Sequence, residues 1–319
     1  MSLTRRGAIA AITGAFASAQ GFGKASQPST TVNFRVPPGA CDCHTHIFGN
    51  RATFPFIAAR TYTPEQALPE EMAALHRALH IQRVVIVTPS VYGTDNSATL
   101  YGMKARGGNA RGVAVIDEQT PEKELDALAA AGVGGIRINL ATAGPTDPAT
   151  ARSRLRAAFE RVKNRRWHVQ VYATLTVIAA MRDLVLDAPV PVVFDHFGGA
   201  QASLGVNQPG FADLVSLVQA HRAYVKISGA YRASSKGRDY ADAEPLARAL
   251  IAANAKQILW GTDWPHPNTS PPPGGTAMDV SPLLQIDDGR LLNQLAAWAP
   301  DASVRKMILV DNPARLYGF

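Results

Sequence analysis

The segment Cys41-Asp-Cys-His-Thr-His-Ile-Phe-Gly49 has the composition of a β-strand that carries a His-x-His pair. Because side chains alternate sides along a strand, Asp42, His44 and His46 are predicted to share one face, and the two imidazoles can point at one oxygen atom or one metal ion. A doubly wound nucleotide-binding sheet would carry a glycine-rich phosphate turn after its first strand. Histidines at this position therefore argue against that fold.

Further strands follow at regular intervals, and segments with helical periodicity such as Glu70–Leu79 and Leu125–Ala131 separate them. Continuous apolar runs such as Val84–Val87 indicate strands buried on both faces, as in a parallel sheet covered by helices. Together with Cys41–His46, the predicted strands are Arg83–Thr88, Arg111–Ile116, Gly134–Asn139, His168–Tyr172, Pro191–Asp195, Tyr224–Ser228 and Gln257–Gly261. Eight such units predict a single α/β domain, a (β/α)8 TIM barrel with C-terminal helices.

Composition narrows the class of protein. The chain has 319 residues, of which 46% are hydrophobic, which is enough for one large core, and we assign residues 38–319 to one catalytic domain. The net charge of +7 is spread without lysine runs or interleaved aromatics, so no nucleic acid partner is expected. Cys41 and Cys43 are too close along the strand for an unstrained disulfide and are expected to be buried thiols.

The N-terminus, Met1–Ala19, has a twin arginine, a short apolar stretch and then small residues. It resembles a twin-arginine export signal, with cleavage near Ala17 or Ala19. Residues 1–37 are therefore predicted to be an export signal and linker. The mature protein is expected in the periplasm with no membrane contact after cleavage, and a frayed N-terminus of a cytoplasmic protein is the alternative.

In a barrel, chemistry takes place at the carboxyl ends of the strands. Polar residues are concentrated there. They are His44, His46, Ser90, Arg137, Asn139, Tyr172, Asp195, His196, Lys226, Ser228, Arg232, Asp263, His266 and Asn268.

Three segments carry a family resemblance: the Asp-x-His-x-His at 42–46, Phe194-Asp-His-Phe-Gly198 and Leu259-Trp-Gly-Thr-Asp-Trp-Pro-His266. They resemble the amidohydrolase superfamily, and residues 38–319 are most similar to its 2-pyrone-4,6-dicarboxylate hydrolase group of lactonases. The resemblance implies that Asp263 is the general base and that His44, His46 and His196 surround the lactone carbonyl oxygen. It also implies that the substrate-binding residues are Tyr62, Ser90, Arg137, Tyr172, Arg232, His266 and Asn268.

The residue types suit this chemistry independently of the resemblance. When water attacks a lactone carbonyl, negative charge develops on the oxygen, and fixed N–H donors lower the barrier. An ionised Asp within reach of the water supplies general-base help. Arg137 and Arg232 are suited to holding a substrate carboxylate through paired hydrogen bonds. The expected partner is a small anionic lactone.

Two departures from the family pattern qualify the resemblance. The fifth strand ends in Tyr172 and the seventh carries Lys226, so the usual metal-ligand set is incomplete and no cofactor is expected to be required. A single Zn²⁺ held by His44, His46, His196 and Asp263 is the alternative. Ala143 stands where the dicarboxylate hydrolases carry a further arginine, which favours a lactone with one carboxylate or an aldaric-acid lactone.

The sequence leaves several functions open. The leading hypothesis is a carboxylic ester hydrolase that opens a carboxylated lactone, and the alternatives are a lactone isomerase acting on a sugar-acid lactone and a metal-dependent amidohydrolase or decarboxylase. An exported binding protein is disfavoured, because an acidic Asp263 in a pocket for anions serves chemistry rather than binding. The sequence also leaves a homo-oligomer open.

Overall fold

The structure is a computed structural model that describes residues 25–144 and 146–319. Eight parallel strands follow one another around a barrel in chain order, each pairing with the next. They are β1 Cys41–Thr45, β2 Arg83–Val87, β3 Ala110–Ala114, β4 Val133–Asn139, β5 His168–Tyr172, β6 Val192–Phe194, β7 Ala223–Ser228 and β8 Ile258–Gly261. Each coincides with a predicted strand, so the predicted barrel is confirmed.

Backbone contacts between the first strand and the chain after the last one close the barrel. Asp263 N donates to His44 O at 2.9 Å, and His46 N donates to Trp264 O at 2.8 Å. These two bonds join the His-x-His segment to the segment that carries Asp263. Closure therefore brings together chemistry-bearing residues that lie about 220 positions apart in the sequence.

Helices cover the outside of the barrel. N-cap side chains define the starts of several helices. The Asp147 side chain, for example, accepts from Ala149 N and Thr150 N at 3.0 Å each. The helices are α1 Pro69–Ala78, α2 Ser97–Arg106, α3 Glu122–Ala130, α4 Pro148–Val162, α5 Leu175–Ala180, α6 Arg182–Leu186, α7 Phe211–Gln219, α8 Ala230–Ala233, α9 Glu244–Asn254, α10 Asp288–Trp298, α11 Ala302–Lys306 and α12 Asn312–Tyr317. Among them, α10 to α12 are the predicted C-terminal helices.

The apolar side chains form two clusters. The larger one lies between the strands and the surrounding helices. The smaller one fills the barrel below the polar end and contains Cys41, Cys43, Val85, Val87, Val113, Val193, Tyr224, Leu259 and Tyr317. Both cysteines are buried free thiols, as expected.

The predicted alternation along β1 is wrong at one position, because Asp42 does not share a site with His44 and His46. The pairing of β1 with β2 shifts register between Asp42 and Thr45, and such a bulge resets which side each residue faces. Asp42 instead bonds Thr262 Oγ1 at 2.6 Å and lies 3.2 Å from His76 Nε2 on α1. It fixes the position of the loop that follows β8.

The predicted linker packs on the barrel where the structure describes it. The Asp287 carboxylate accepts from the hydroxyls of Ser29 and Thr30, at 2.7 and 2.6 Å, and Asn33 N donates to Asn293 Oδ1 at 2.8 Å. The predicted export signal lies outside the described residues, so periplasmic export stays a prediction. Within residues 25–144 and 146–319, none of the helices combines the length and apolar character needed to span a bilayer.

Candidate active site

A small pocket opens at the carboxyl ends of the strands. Most of the predicted site residues line it or lie directly beneath it. Its lining consists of His46, Tyr62, Pro89, Ser90, Arg137, Thr142, Tyr172, His196, Arg232, Asp263, Pro267 and Thr269. His44 lies below this lining and is fully buried.

Asp263 lies at the centre of the site, and its two oxygens have different surroundings. Oδ1 lies 3.5 Å from His46 Nε2, 3.6 Å from His44 Nε2 and 3.9 Å from His196 Nε2. It is fully buried and has no hydrogen-bond partner among the described residues. One oxygen of the carboxylate is therefore left available to a water molecule or a substrate group.

The second oxygen of Asp263 is held by its neighbours. Oδ2 accepts a hydrogen bond from Tyr231 OH at 2.6 Å and another from Arg232 Nε. Burial would raise the pKa of Asp263, but Arg232 and the surrounding imidazoles outweigh it and hold the pKa well below its usual value. Asp263 is thus an oriented, ionised carboxylate at neutral pH.

The backbone at the site is held in unusual conformations. Asp263 and His196 both have positive φ, at 66° and 47°, in the left-handed region that most residues avoid. At Gly261, a Cβ atom would lie 2.8 Å from His44 N, so only glycine allows β8 this close to β1. Local strain and a close strand approach together place the carboxylate over the histidines.

The hydrogen bond of His46 determines which of its ring nitrogens carries a lone pair. Nδ1 donates to Val87 O at 2.7 Å, since a carbonyl oxygen can only accept. A neutral His46 therefore presents an unprotonated Nε2 towards Asp263 Oδ1. Two acceptors face each other at this point, an arrangement that suits the two O–H groups of a water molecule.

His196 contributes a third ring. Its Nδ1 is hydrogen-bonded to Ser228 Oγ at 3.0 Å. Burial lowers the pKa of His196 to about 4, so the ring is neutral at pH 7. When the Ser228 hydroxyl donates to Nδ1, the ring proton lies on Nε2 and points towards the pocket.

A network of buried polar side chains lies beneath His44. Lys226 Nζ lies 3.2 Å from His44 Nδ1 and 2.7 Å from Gln170 Oε1, and its side chain is fully buried. Asp195 Oδ2 accepts from Arg137 Nε at 3.0 Å and from Gln170 Nε2 at 3.1 Å. Burial would raise the pKa of Asp195, but the charges of Lys226 and Arg137 help to outweigh it, and the pKa lies well below the usual value.

The charges of the site favour an anionic ligand. Three cationic side chains, Arg137, Lys226 and Arg232, face two carboxylates, Asp195 and Asp263. In the part of the chain that the structure describes, Arg137 makes its hydrogen bond through Nε alone, which leaves its terminal N–H groups for an anion. The excess of positive charge at the end of the barrel attracts anions.

The distances within the site suit a metal ion, but its hydrogen bonds do not. Two buried groups lie close enough to share a cation, namely His44 with His46 and Asp263, and His44 with Asp195 and His196. A ligating nitrogen must be unprotonated, whereas His44 Nδ1 accepts from Lys226, so a neutral His44 carries its proton on Nε2. The group of His44, His46 and Asp263 then keeps only two ligand atoms. In the group of His44, Asp195 and His196, the Lys226 ammonium lies 3.5 Å from Asp195 Oδ1.

Two predicted substrate-binding residues lie outside the pocket lining. His266 is fully buried and bonds Ser26 Oγ through Nδ1 and Asp288 Oδ1 through Nε2, each at 3.0 Å. Asn268 Oδ1 accepts from Ser270 N at 3.1 Å within its own loop. Their predicted substrate contacts stay predictions, and in this structure both residues shape the loop that contributes Pro267 and Thr269.

The sequence analysis missed several site residues. Tyr231 donates to Asp263 Oδ2, and Gln170 joins Lys226 to Asp195. The pocket lining also includes Pro89, Thr142, Pro267 and Thr269. Tyr231 directly precedes Arg232 after β7, and Gln170 lies two positions before Tyr172 on the same side of β5. Strand alternation was the signal that pointed to Gln170.

Comparison with known proteins agrees with this fold. A profile of the amidohydrolase family matches residues 41–319. A crystal structure of an Agrobacterium tumefaciens protein superposes with a TM-score of 0.77 at 29% identity, covering 90% of this chain and 98% of that one. The chain belongs to the amidohydrolase family, and within it to the group similar to 2-pyrone-4,6-dicarboxylate hydrolase.

Three relatives are named for their reactions. The chain is 35% identical to a 4-sulfomuconolactone hydrolase of Rhizobium radiobacter, covering 91% of this chain and 93% of the relative. It is 34% identical to a 2-pyrone-4,6-dicarboxylate hydrolase of Comamonas testosteroni, with coverage of 89% and 92%. It is 30% identical to a D-galactarolactone isomerase of Agrobacterium fabrum, with coverage of 90% and 94%.

Proposed function

We propose that the protein hydrolyses the ester ring of an anionic, carboxylated lactone. The observation that carries this proposal is the buried, unpartnered Oδ1 of Asp263 with three imidazoles within 3.9 Å. The names of two relatives as lactone hydrolases support the same reaction. The terminal N–H groups of Arg137 suit a carboxylate on the substrate.

The proposed reaction begins with a water molecule that donates to Asp263 Oδ1 and to His46 Nε2. Asp263 takes a proton as the water oxygen attacks the ring carbonyl carbon. The carbonyl oxygen gains negative charge and accepts hydrogen bonds from His44 Nε2–H and His196 Nε2–H. Collapse of the intermediate breaks the ring C–O bond, and the leaving oxygen takes the proton from Asp263.

In this proposal no metal ion is required. The support is the Lys226–His44 hydrogen bond, which makes His44 Nε2 a donor rather than a ligand. A zinc ion bound at His44, His46, His196 and Asp263 would act instead as a Lewis acid, the chemistry of metal-dependent amidohydrolases and decarboxylases. That arrangement needs the His44 proton to move to Nδ1.

Lactone isomerisation is the second candidate, favoured by the galactarolactone isomerase among the relatives. In that reaction a hydroxyl of the substrate takes the place of water, and the same Asp263 and histidines serve. The two reactions differ in their products. Hydrolysis releases one new acid group, whereas isomerisation yields a second lactone and no acid.

A panel of carboxylated, sulfonated and sugar-acid lactones tests the proposal. We expect acid release, followed with a pH indicator, on at least one lactone that carries a single anionic group, because Ala143 supplies no second arginine. Carbonyl NMR on the same samples separates the two reactions. A new lactone without acid would assign the isomerase, and no turnover across the panel would refute both.

A further inference from the structure

We propose that Lys226 is a positioning residue that keeps the ring proton of His44 on Nε2. There the proton is donated to the reacting carbonyl oxygen, and the ring withholds a lone pair from a metal ion. The catalytic consequence rests on the proposed lactone hydrolysis. The position of the proton does not depend on that proposed function, and a separate experiment measures it.

The argument starts from the surroundings of a buried ammonium group. Lys226 Nζ has three N–H donors and no acceptor, and the side chain has no exposure to water. Gln170 Oε1 lies 2.7 Å away, His44 Nδ1 3.2 Å and Asp195 Oδ1 3.5 Å. A nitrogen that accepts from an ammonium carries its lone pair there, so His44 Nδ1 is unprotonated.

The neutral state of His44 places its proton on the other nitrogen. A histidine ring carries at least one proton at neutral pH, on Nδ1 or on Nε2. With Nδ1 occupied by Lys226, that proton is on Nε2, 3.6 Å from Asp263 Oδ1 on the pocket side. Asp195 Oδ1 lies 3.2 Å from His44 Nδ1 and 3.5 Å from Lys226 Nζ, so the ammonium lies within reach of both acceptors.

Removal of the ammonium reverses this arrangement. The proton then moves to Nδ1, where Asp195 Oδ1 accepts it, and Nε2 gains the lone pair. His44 Nε2, His46 Nε2 and Asp263 Oδ1 would then form three unprotonated ligands for one zinc ion. One buried positive charge thus separates a metal-free site from a metal site.

The proton position is measured by long-range ¹H–¹⁵N correlation NMR on protein labelled with ¹⁵N-histidine. His44→Gln assigns the signal. We expect wild-type His44 to be protonated at Nε2 and Lys226→Met to be protonated at Nδ1. The matched control Lys104→Met removes an exposed lysine on α2 and should leave the spectrum of His44 unchanged.

Two further readouts separate positioning from charge balance alone. On a lactone that the wild type hydrolyses, Lys226→Met should lower kcat by about 10²–10³-fold with little change in KM, as loss of an oxyanion donor does. In a titration against a chromophoric chelator, Lys226→Met should bind Zn²⁺, whereas wild type and Lys104→Met should not.

Several outcomes would overturn the proposal. Wild-type His44 protonated at Nδ1 refutes it outright, and this result needs no variant to fold. A Lys226→Met protein that keeps the Nε2 proton shows that Lys226 serves charge balance only. If Lys226→Met gains no affinity for Zn²⁺, the claim that Lys226 keeps a metal ion out of the site is refuted. If no lactone is turned over but the NMR result holds, the proposed function fails and the role of Lys226 stands.

Discussion

Asp263→Asn is expected to lower kcat by about 10²–10⁴-fold while leaving substrate binding largely intact. The amide has the shape of the carboxylate but cannot take a proton from water. Asp263 Oδ1 is the oxygen that this reaction needs, because Oδ2 already accepts from Tyr231 and Arg232. Steady-state kinetics measure the loss, and calorimetric titration of the inactive variant with substrate measures binding.

Asp183→Asn provides the matched control for this experiment. Asp183 pairs with Arg152 on the outside of the barrel, and its side chain is 62% exposed, so the same chemical change should leave kcat unaltered. If Asp263→Asn kept a kcat close to that of the wild type, Asp263 could not be the general base.

Asp195→Asn is expected to lower the free energy of unfolding by about 3–5 kcal/mol. The carboxylate is fully buried and compensates Arg137 and Lys226, so the substitution leaves two buried cations without their counter-charge. Urea unfolding at pH 7, followed by circular dichroism, measures the difference from wild type.

The same surface variant, Asp183→Asn, shows what loss of an exposed ion pair does to stability. Only a small effect is expected there, because water screens exposed pairs. If Asp195→Asn were no more destabilised than Asp183→Asn, the buried network would not depend on an ionised Asp195. Lys226 would then have no charged counter-ion in Asp195, and its assignment as a charged hydrogen-bond donor would fail.

The barrel was predictable from the sequence because strands that are buried on both faces have continuous apolar sequences. Runs such as Val84–Val87 have no polar face, and polar residues follow them where each strand ends. Parallel topology then places all these ends on one rim, so Asp263, His46 and His196 could be assigned to one site without coordinates. Their pairwise distances of 3.5 and 3.9 Å to Asp263 Oδ1 agree with that assignment.

The rest of the site depends on contacts that strand periodicity does not encode. The bulge in β1 turns Asp42 away from the histidines, because one extra residue resets the alternation. His266 lies five positions after the end of β8, and its two ring nitrogens are hydrogen-bonded to Ser26 from the N-terminal segment and Asp288 from α10. These partners lie 240 and 22 positions away, and the residue type alone gave no indication of either.

The position of the proton on His44 likewise depends on a contact that strand periodicity does not encode. Lys226 lies 182 positions away, and its approach to Nδ1 decides whether His44 acts as a hydrogen-bond donor or as a metal ligand. The motif is compatible with both functions. Only the hydrogen-bond partners in the folded protein separate them.

Hydrolysis in ¹⁸O-labelled water tests the central claim most directly. With purified protein dialysed against a chelator and a lactone turned over in the panel, we expect one ¹⁸O atom in the new carboxylate of each product molecule and one equivalent of acid. Mass spectrometry reads the label. A product lactone without ¹⁸O, or activity that returns only when Zn²⁺ is added, would contradict metal-free activation of water by Asp263.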